Sequence, residues 1–167
     1  MSNGMGRSIW RTSDGRYQVQ VSDEVVDRMR SLAIEHAPNE VGTSLVGFYS
    51  DDGSTATIDE LAPLTSDSRG TRTTFVRGVL GLADYFSKVL KGSGGQRHYV
   101  GEWHSHPNGS VLASPTDDCN QLAIAKEAQT DCPEAVLMII GGEAMSFPEI
   151  AVFVYSRTRG KMRLASC

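Results

Sequence analysis

Six consecutive apolar residues, Ala135 to Ile140, constrain the chain more than any other stretch. The run has the length of a strand, is far too short to span a bilayer, and is consistent with a sheet covered on both faces. A second strand is read from Tyr99 to Trp103, rich in aromatic and β-branched residues and ended by Pro107, which cannot donate to a ladder. His104 and His106 fall at its end. Side chains alternate along a strand, so both imidazoles point to one face and can reach one ion. Ser114-Pro115 then reads as an N-cap and first helical position, with Asp117 in the first turn, where the helix dipole favours an acidic group. Taken alone, that is an ordinary helix start. The short glycine-containing loop from Asn108 to Ala113, however, can return the chain so that Asp117 faces the histidines. Two nitrogens and one oxygen are the ligands expected of a catalytic zinc with its fourth position open.

The remaining elements follow from periodicity. Ser8–Arg11 and Tyr17–Val21 flank the turn Ser13-Asp14-Gly15 and predict a β-hairpin. Ser22 caps a helix whose apolar stripe is Val25, Met29, Leu32 and Ala33, stopped by Pro38, with His36 a favourable charge at its end. Leu45–Tyr49 and Thr55–Leu61 predict strands around Ser50-Asp51-Asp52-Gly53, and Asp59 and Glu60 read as edge or solvent-facing charges. Leu64–Thr74 is polar and predicts a loop, either a substrate-contacting flap or a solvated connection. Gly78–Lys91 predicts a helix weakened by Gly81, and Pro115 to about Thr130 another, burying Leu122, Ile124, Ala125 and Ala128 with Cys119. Ile150–Tyr155 and Lys161–Leu164 supply the last strands. The order predicts an α/β fold with a mixed sheet and helices on both faces, in one domain spanning residues 1–167.

The pattern His104-x-His106-Pro107, Ser114 and Asp117 resembles the signature of the JAMM metallopeptidases, the catalytically competent MPN-domain family. Its upstream glutamate is matched by Glu40 in Pro38-Asn39-Glu40-Val41-Gly42, leading into Ser44-Leu45-Val46-Gly47, and the similarity runs from about Ser22 to about Tyr155. One departure is Thr43, where bacterial members often carry a second glycine. The resemblance implies a cytidine-deaminase-like three-layer sandwich and a Zn2+ held by His104, His106 and Asp117. It also implies that Glu40 is general base and then general acid. The implied reaction is zinc-dependent isopeptidase or peptidase cleavage after the C-terminal glycine of a ubiquitin-like protein. For bacterial members the setting is anti-phage operons that also encode ubiquitin-activating-like and ubiquitin-conjugating-like enzymes.

Other carboxylates and hydroxyls compete for these roles. Glu102 lies two residues before His104 on the same face, so it is either a rival base or a partner that holds an imidazole. The Ser114 hydroxyl could donate to a developing oxyanion as well as cap its helix. Trp103 should face the core. His98 should only pack or meet solvent. A groove beside a strand edge, walled by Leu64–Thr74 and Gly92–Gln96, would suit an extended glycine-rich tail.

Composition excludes other classes. The net charge of −4, with scattered Lys and Arg, gives no footprint for nucleic acid or an anionic membrane. The start from Met1 to Arg7 lacks a signal peptide's apolar core, which predicts a cytoplasmic protein. Cys119, Cys132 and Cys167 form no C-x-x-C pair, and Cys119, pointing to a different side of its helix from Asp117, reads as a packed thiol. Nucleobase deamination would need H-x-E and P-C-x-x-C, and neither occurs. The rival to an enzyme is a non-catalytic, metal-stabilised MPN scaffold, whose members usually lack part of the five-residue set.

Overall fold

A computed structural model describes residues 6–107, 109–142 and 146–167. Most of the start from Met1 to Arg7, and Asn108 at the head of the returning loop, lie outside the described residues.

The opening hairpin forms as its sequence predicts, with β1 (Arg7–Arg11) antiparallel to β2 (Gln18–Ser22). Helix α1 (Asp23–His36) follows, its first turn capped by the Ser22 hydroxyl, which accepts from the Val25 N–H. Its buried stripe is Val25, Val26, Met29, Leu32 and Ala33, and the His36 ring meets the Leu32 carbonyl at its end. Strands β3 (Gly42–Tyr49) and β4 (Thr55–Leu61) pair antiparallel. The polar segment after them contains a two-rung hairpin, β5 (Arg69–Gly70) with β6 (Phe75–Val76). Next come α2 (Leu82–Gly92), β7 (His98–Ser105), α3 (Pro115–Lys126) and β8 (Glu134–Gly141). The chain finishes with β9 (Glu149–Ser156) antiparallel to β10 (Gly160–Ser166).

These strands do not make the expected three-layer sandwich. They close into a mixed barrel of order β1-β10-β9-β8-β7-β3-β4-β2, sealed where β1 meets β10 at Trp10/Ser166 and where β2 runs parallel to β4. The apolar run in β8 is covered on both faces as expected. Val136, Met138 and Ile140 point into the main core with Met29, Leu45 and Trp103, while Ala135, Leu137 and Ile139 form a second layer with Phe153, Tyr155 and Ala125 of α3. One cover is therefore the barrel's own interior, against which α1 packs, and not a separate helical layer. Asp59 and Glu60 lie past Ile58, the last residue of β4 that pairs with β2, and both are exposed as expected; Arg97 bridges them at 2.7 and 2.6 Å. Helix α3 is the crossover between parallel β7 and β8, which sets its start beside the end of β7.

Three smaller expectations also change. Helix α2 begins only at Leu82, because the Asp67 carboxylate accepts the Val79 and Leu80 N–H groups and Gly81 is left-handed at φ 80°. Helix α3 ends at Lys126 and buries Gln121 and Ala125; Ala128 is exposed beyond it. Cys119 is exposed, since the side of α3 away from Asp117 faces solvent. Among the described residues, no helix is long and apolar enough to cross a membrane.

Candidate metal centre

The end of β7 is fixed from both sides. His104 is opposite Gly42 of β3 and Ile139 of β8, and just past the strand the His106 N–H donates to the Ile140 carbonyl at 2.8 Å. Gly42 is required by this closeness. A Cβ there would meet the Trp103 carbonyl and come within 2.9 Å of the His104 Cβ. Between the histidines, Ser105 turns to the other face and is fully buried. Its hydroxyl accepts the Val41 N–H at 3.0 Å while its own N–H donates to the Val41 carbonyl at 2.8 Å. This double tie brings Glu40, the residue before Val41, to the histidines.

The imidazoles converge. His104 Nε2 and His106 Nε2 are 3.0 Å apart, His104 Nε2 is 3.5 Å from Asp117 Oδ2, and His106 Nε2 is 3.9 Å from Glu40 Oε1. One donor atom from each of His104, His106 and Asp117 lies within 4.8 Å of the other two. The His106 Nδ1 faces the Ser110 carbonyl at 2.6 Å, and a carbonyl only accepts, so the proton sits on Nδ1 and the Nε2 lone pair faces its partners. Burial and the neighbouring His104 keep the His106 pKa below its ordinary value, favouring the neutral ring that a cation needs. Burial alone would raise Asp117, but hydrogen bonds from His104 and Ser114 prevail and bring it down to about 2. Two imidazole nitrogens and one carboxylate oxygen fit a divalent transition metal.

Glu40 sits apart from that set in character as well as place. It is 7% exposed, and burial, opposed by His104 and reinforced by Asp117, pushes its carboxyl up to about 7. A carboxyl with that pKa can both take and give a proton near neutrality.

Other predicted residues divide. Ser114 and Asp117 form a reciprocal capping box, the Ser114 hydroxyl accepting from the Asp117 N–H at 3.1 Å and the Asp117 carboxylate from the Ser114 N–H at 2.8 Å. The hydroxyl proton is not used by that bond. Glu102 shares the histidines' face but holds neither ring: Arg77 Nε reaches it at 2.7 Å, the Tyr99 hydroxyl at 2.9 Å and the Ser44 hydroxyl at 3.2 Å. Trp103 is buried and donates to Thr43, and His98 stacks on Tyr49. The segment Leu64–Thr74 packs onto the site, with Thr71 accepting the Glu40 N–H at 2.7 Å. Sequence reasoning missed Ser105, Thr71 and Arg77. Ser105 alone carried a signal, its alternation out of phase with the histidines.

A barrel strand that ends in two converging imidazoles, joined by an aspartate from the following crossover helix, defines a JAB-type domain with a candidate metal centre. The chain belongs to the prokaryotic homologs of the JAB domain, whose sequence profile matches residues 22–155. It is 36% identical over 159 residues, covering 95% of this chain and 87% of the relative, to a protein of Enterobacter hormaechei subsp. hoffmannii (strain UCI 50) named CD-NTase/cGAS isopeptidase. Its fold is similar to the solution structure of a Desulfitobacterium hafniense protein, with TM-score 0.59 and 19% identity over 86% of this chain and 87% of that one. A Salinibacter ruber (strain DSM 13855) protein solved in solution gives TM-score 0.50 and 19% identity over 86% of each chain.

Proposed function

We propose that the chain, acting as one domain over its 167 residues, is a zinc-dependent isopeptidase. It cuts the bond between the C-terminal glycine of a ubiquitin-like protein and an amine on its conjugated target. The relative's name suggests a CD-NTase/cGAS-like enzyme as that target. The setting is cytoplasmic anti-phage defence beside ubiquitin-activating-like and ubiquitin-conjugating-like enzymes.

The observation that carries this reading is the convergence of His104, His106 and Asp117, one donor atom of each within 4.8 Å of the others, with the buried Glu40 bringing Oε1 to 3.9 Å from His106 Nε2 at their edge. His104, His106 and Asp117 would hold the cation, which when bound supplies Lewis acidity toward a water and the scissile carbonyl. Glu40 takes the proton of the attacking water on its carboxylate and hands it to the departing amine, which leaves neutral. The Ser114 hydroxyl, still free to donate, stabilises negative charge developing on the carbonyl oxygen, an effect of about 3 kcal/mol for one donor. Ser105 and Thr71 keep the Glu40 backbone fixed through that exchange.

The test is cleavage of a ubiquitin-like conjugate and of a linear fusion by zinc-loaded protein and by Glu40→Gln. Expected are about one zinc per chain, retained in Glu40→Gln, and loss of turnover in that variant and on chelation. Undiminished cleavage by metal-free protein would overturn the reading. A zinc-loaded protein inert on every conjugate would instead be a metal-stabilised scaffold.

A further inference from the structure

The buried carboxylate of Glu102 has no place in the chemistry above, yet it receives the one ion pair, among the described residues, between the segment carrying β5 and β6 and the barrel. Arg77, directly after β6, brings Nε to 2.7 Å from Glu102 Oε1, with the side chains only 29% and 12% exposed. Tyr99 and Ser44 complete the carboxylate's shell from β7 and β3, so the anion's position is set by the barrel and the hairpin comes to it.

The same hairpin bears on Glu40. Thr71, in its turn, accepts the Glu40 N–H at 2.7 Å. Gly70 lies so close to the Glu40 carbonyl that a Cβ would collide with it, and the Phe75 ring lies 3.0 Å from where a Cβ on Gly42 would be. Within itself the segment is tied by Thr71 and Thr74 and by Asp67 to the Val79 and Leu80 N–H groups. It is a wired unit that touches Glu40 at one end and is pinned by Arg77 at the other.

We propose that Arg77 is a positioning residue: its ion pair with Glu102 latches the β5–β6 hairpin onto β7, and the seated hairpin fixes the backbone of Glu40. The proposal rests on the isopeptidase reading for its kinetic consequence only. The ion pair holds the hairpin whether or not the protein cleaves anything. Arg77 pairs with Glu102 and not with His104, His106, Asp117 or Glu40, and an effect carried through the Glu40 backbone belongs in kcat and not in affinity.

The experiment compares wild type, Arg77→Met, Arg77→Lys and Glu102→Gln by amide hydrogen exchange and by steady-state cleavage. Expected in Arg77→Met are at least tenfold faster exchange at the Glu40 amide and across residues 65–78, with the rest of the barrel unchanged. Its kcat should fall on the order of 100-fold, the cost of a misplaced catalytic group, with KM within about threefold. Arg77→Lys, keeping the charge, should recover to within about tenfold of wild type. Glu102→Gln, which keeps the shape and loses the charge, should loosen the same amides and gives the answer if Arg77→Met does not fold. Unchanged exchange in a folded Arg77→Met or Glu102→Gln protein overturns the latch. A raised KM with unchanged kcat overturns the positioning of Glu40 and leaves the hairpin as a substrate wall. If wild type cleaves no conjugate, the isopeptidase reading fails while exchange still decides the latch.

Discussion

Replacing Glu40 by glutamine removes a carboxyl that the metal-free fold prefers neutral, so the variant that abolishes turnover should also be the more stable protein at high pH. The folded pKa is raised from 4.5 to about 7, chiefly by burial. A group raised in this way contributes stability that is fully present below about 4.5 and is lost as pH rises through about 7. Full desolvation would make that loss ~3 kcal/mol. Because Glu40 lies at the mouth of the site with two imidazoles beside it, about 1–2 kcal/mol is the reasonable figure after screening. For a chain of this length that is a melting shift of roughly 2–8 °C. The assay is thermal unfolding of chelated wild type and Glu40→Gln at pH 4 and pH 8. The two should melt together at pH 4, below the unfolded pKa, with Glu40→Gln the higher at pH 8, and added zinc should narrow the gap by giving the carboxylate a nearby cation. Equal melting temperatures at pH 8, or a lower one for the variant, would refute the burial argument.

Two further substitutions probe the scaffold of the site. Ser105→Ala leaves the buried Val41 N–H without its 3.0 Å partner and should cost about 1–3 kcal/mol in denaturant unfolding. Metal stoichiometry should be unchanged and kcat lowered. Gly42→Ala drives a methyl group against the Trp103 carbonyl and the His104 Cβ; it should cost roughly 1–3 kcal/mol and weaken zinc affinity measured by competition with a chelating dye.

Local features were legible in the sequence. The two histidines share a face because of strand alternation, and Ser114-Pro115 starts a helix because a hydroxyl caps it and proline needs no N–H there. With a short loop between, the proximity of His104, His106 and Asp117 follows from those two facts. Barrel closure was not legible. The apolar run in β8 points to cover on both faces but does not say what provides it, and β1 pairs with β10 from the opposite end of the chain. Val79 fits the helical spacing of α2, yet Asp67 captures its N–H, a contact between segments that no periodicity encodes. Cys119 was correctly turned away from Asp117, but that direction is solvent and not core. Glu102 was correctly given to the histidines' face; its true partner, Arg77, sits in a polar segment with no pattern pointing to it.

A crystal grown with zinc and measured at the zinc absorption edge tests the central claim most directly. The account predicts one anomalous peak about 2.0–2.2 Å from His104 Nε2, His106 Nε2 and an Asp117 oxygen, with its remaining position open toward Glu40. A peak elsewhere, or a fourth side chain closing that position, would contradict it.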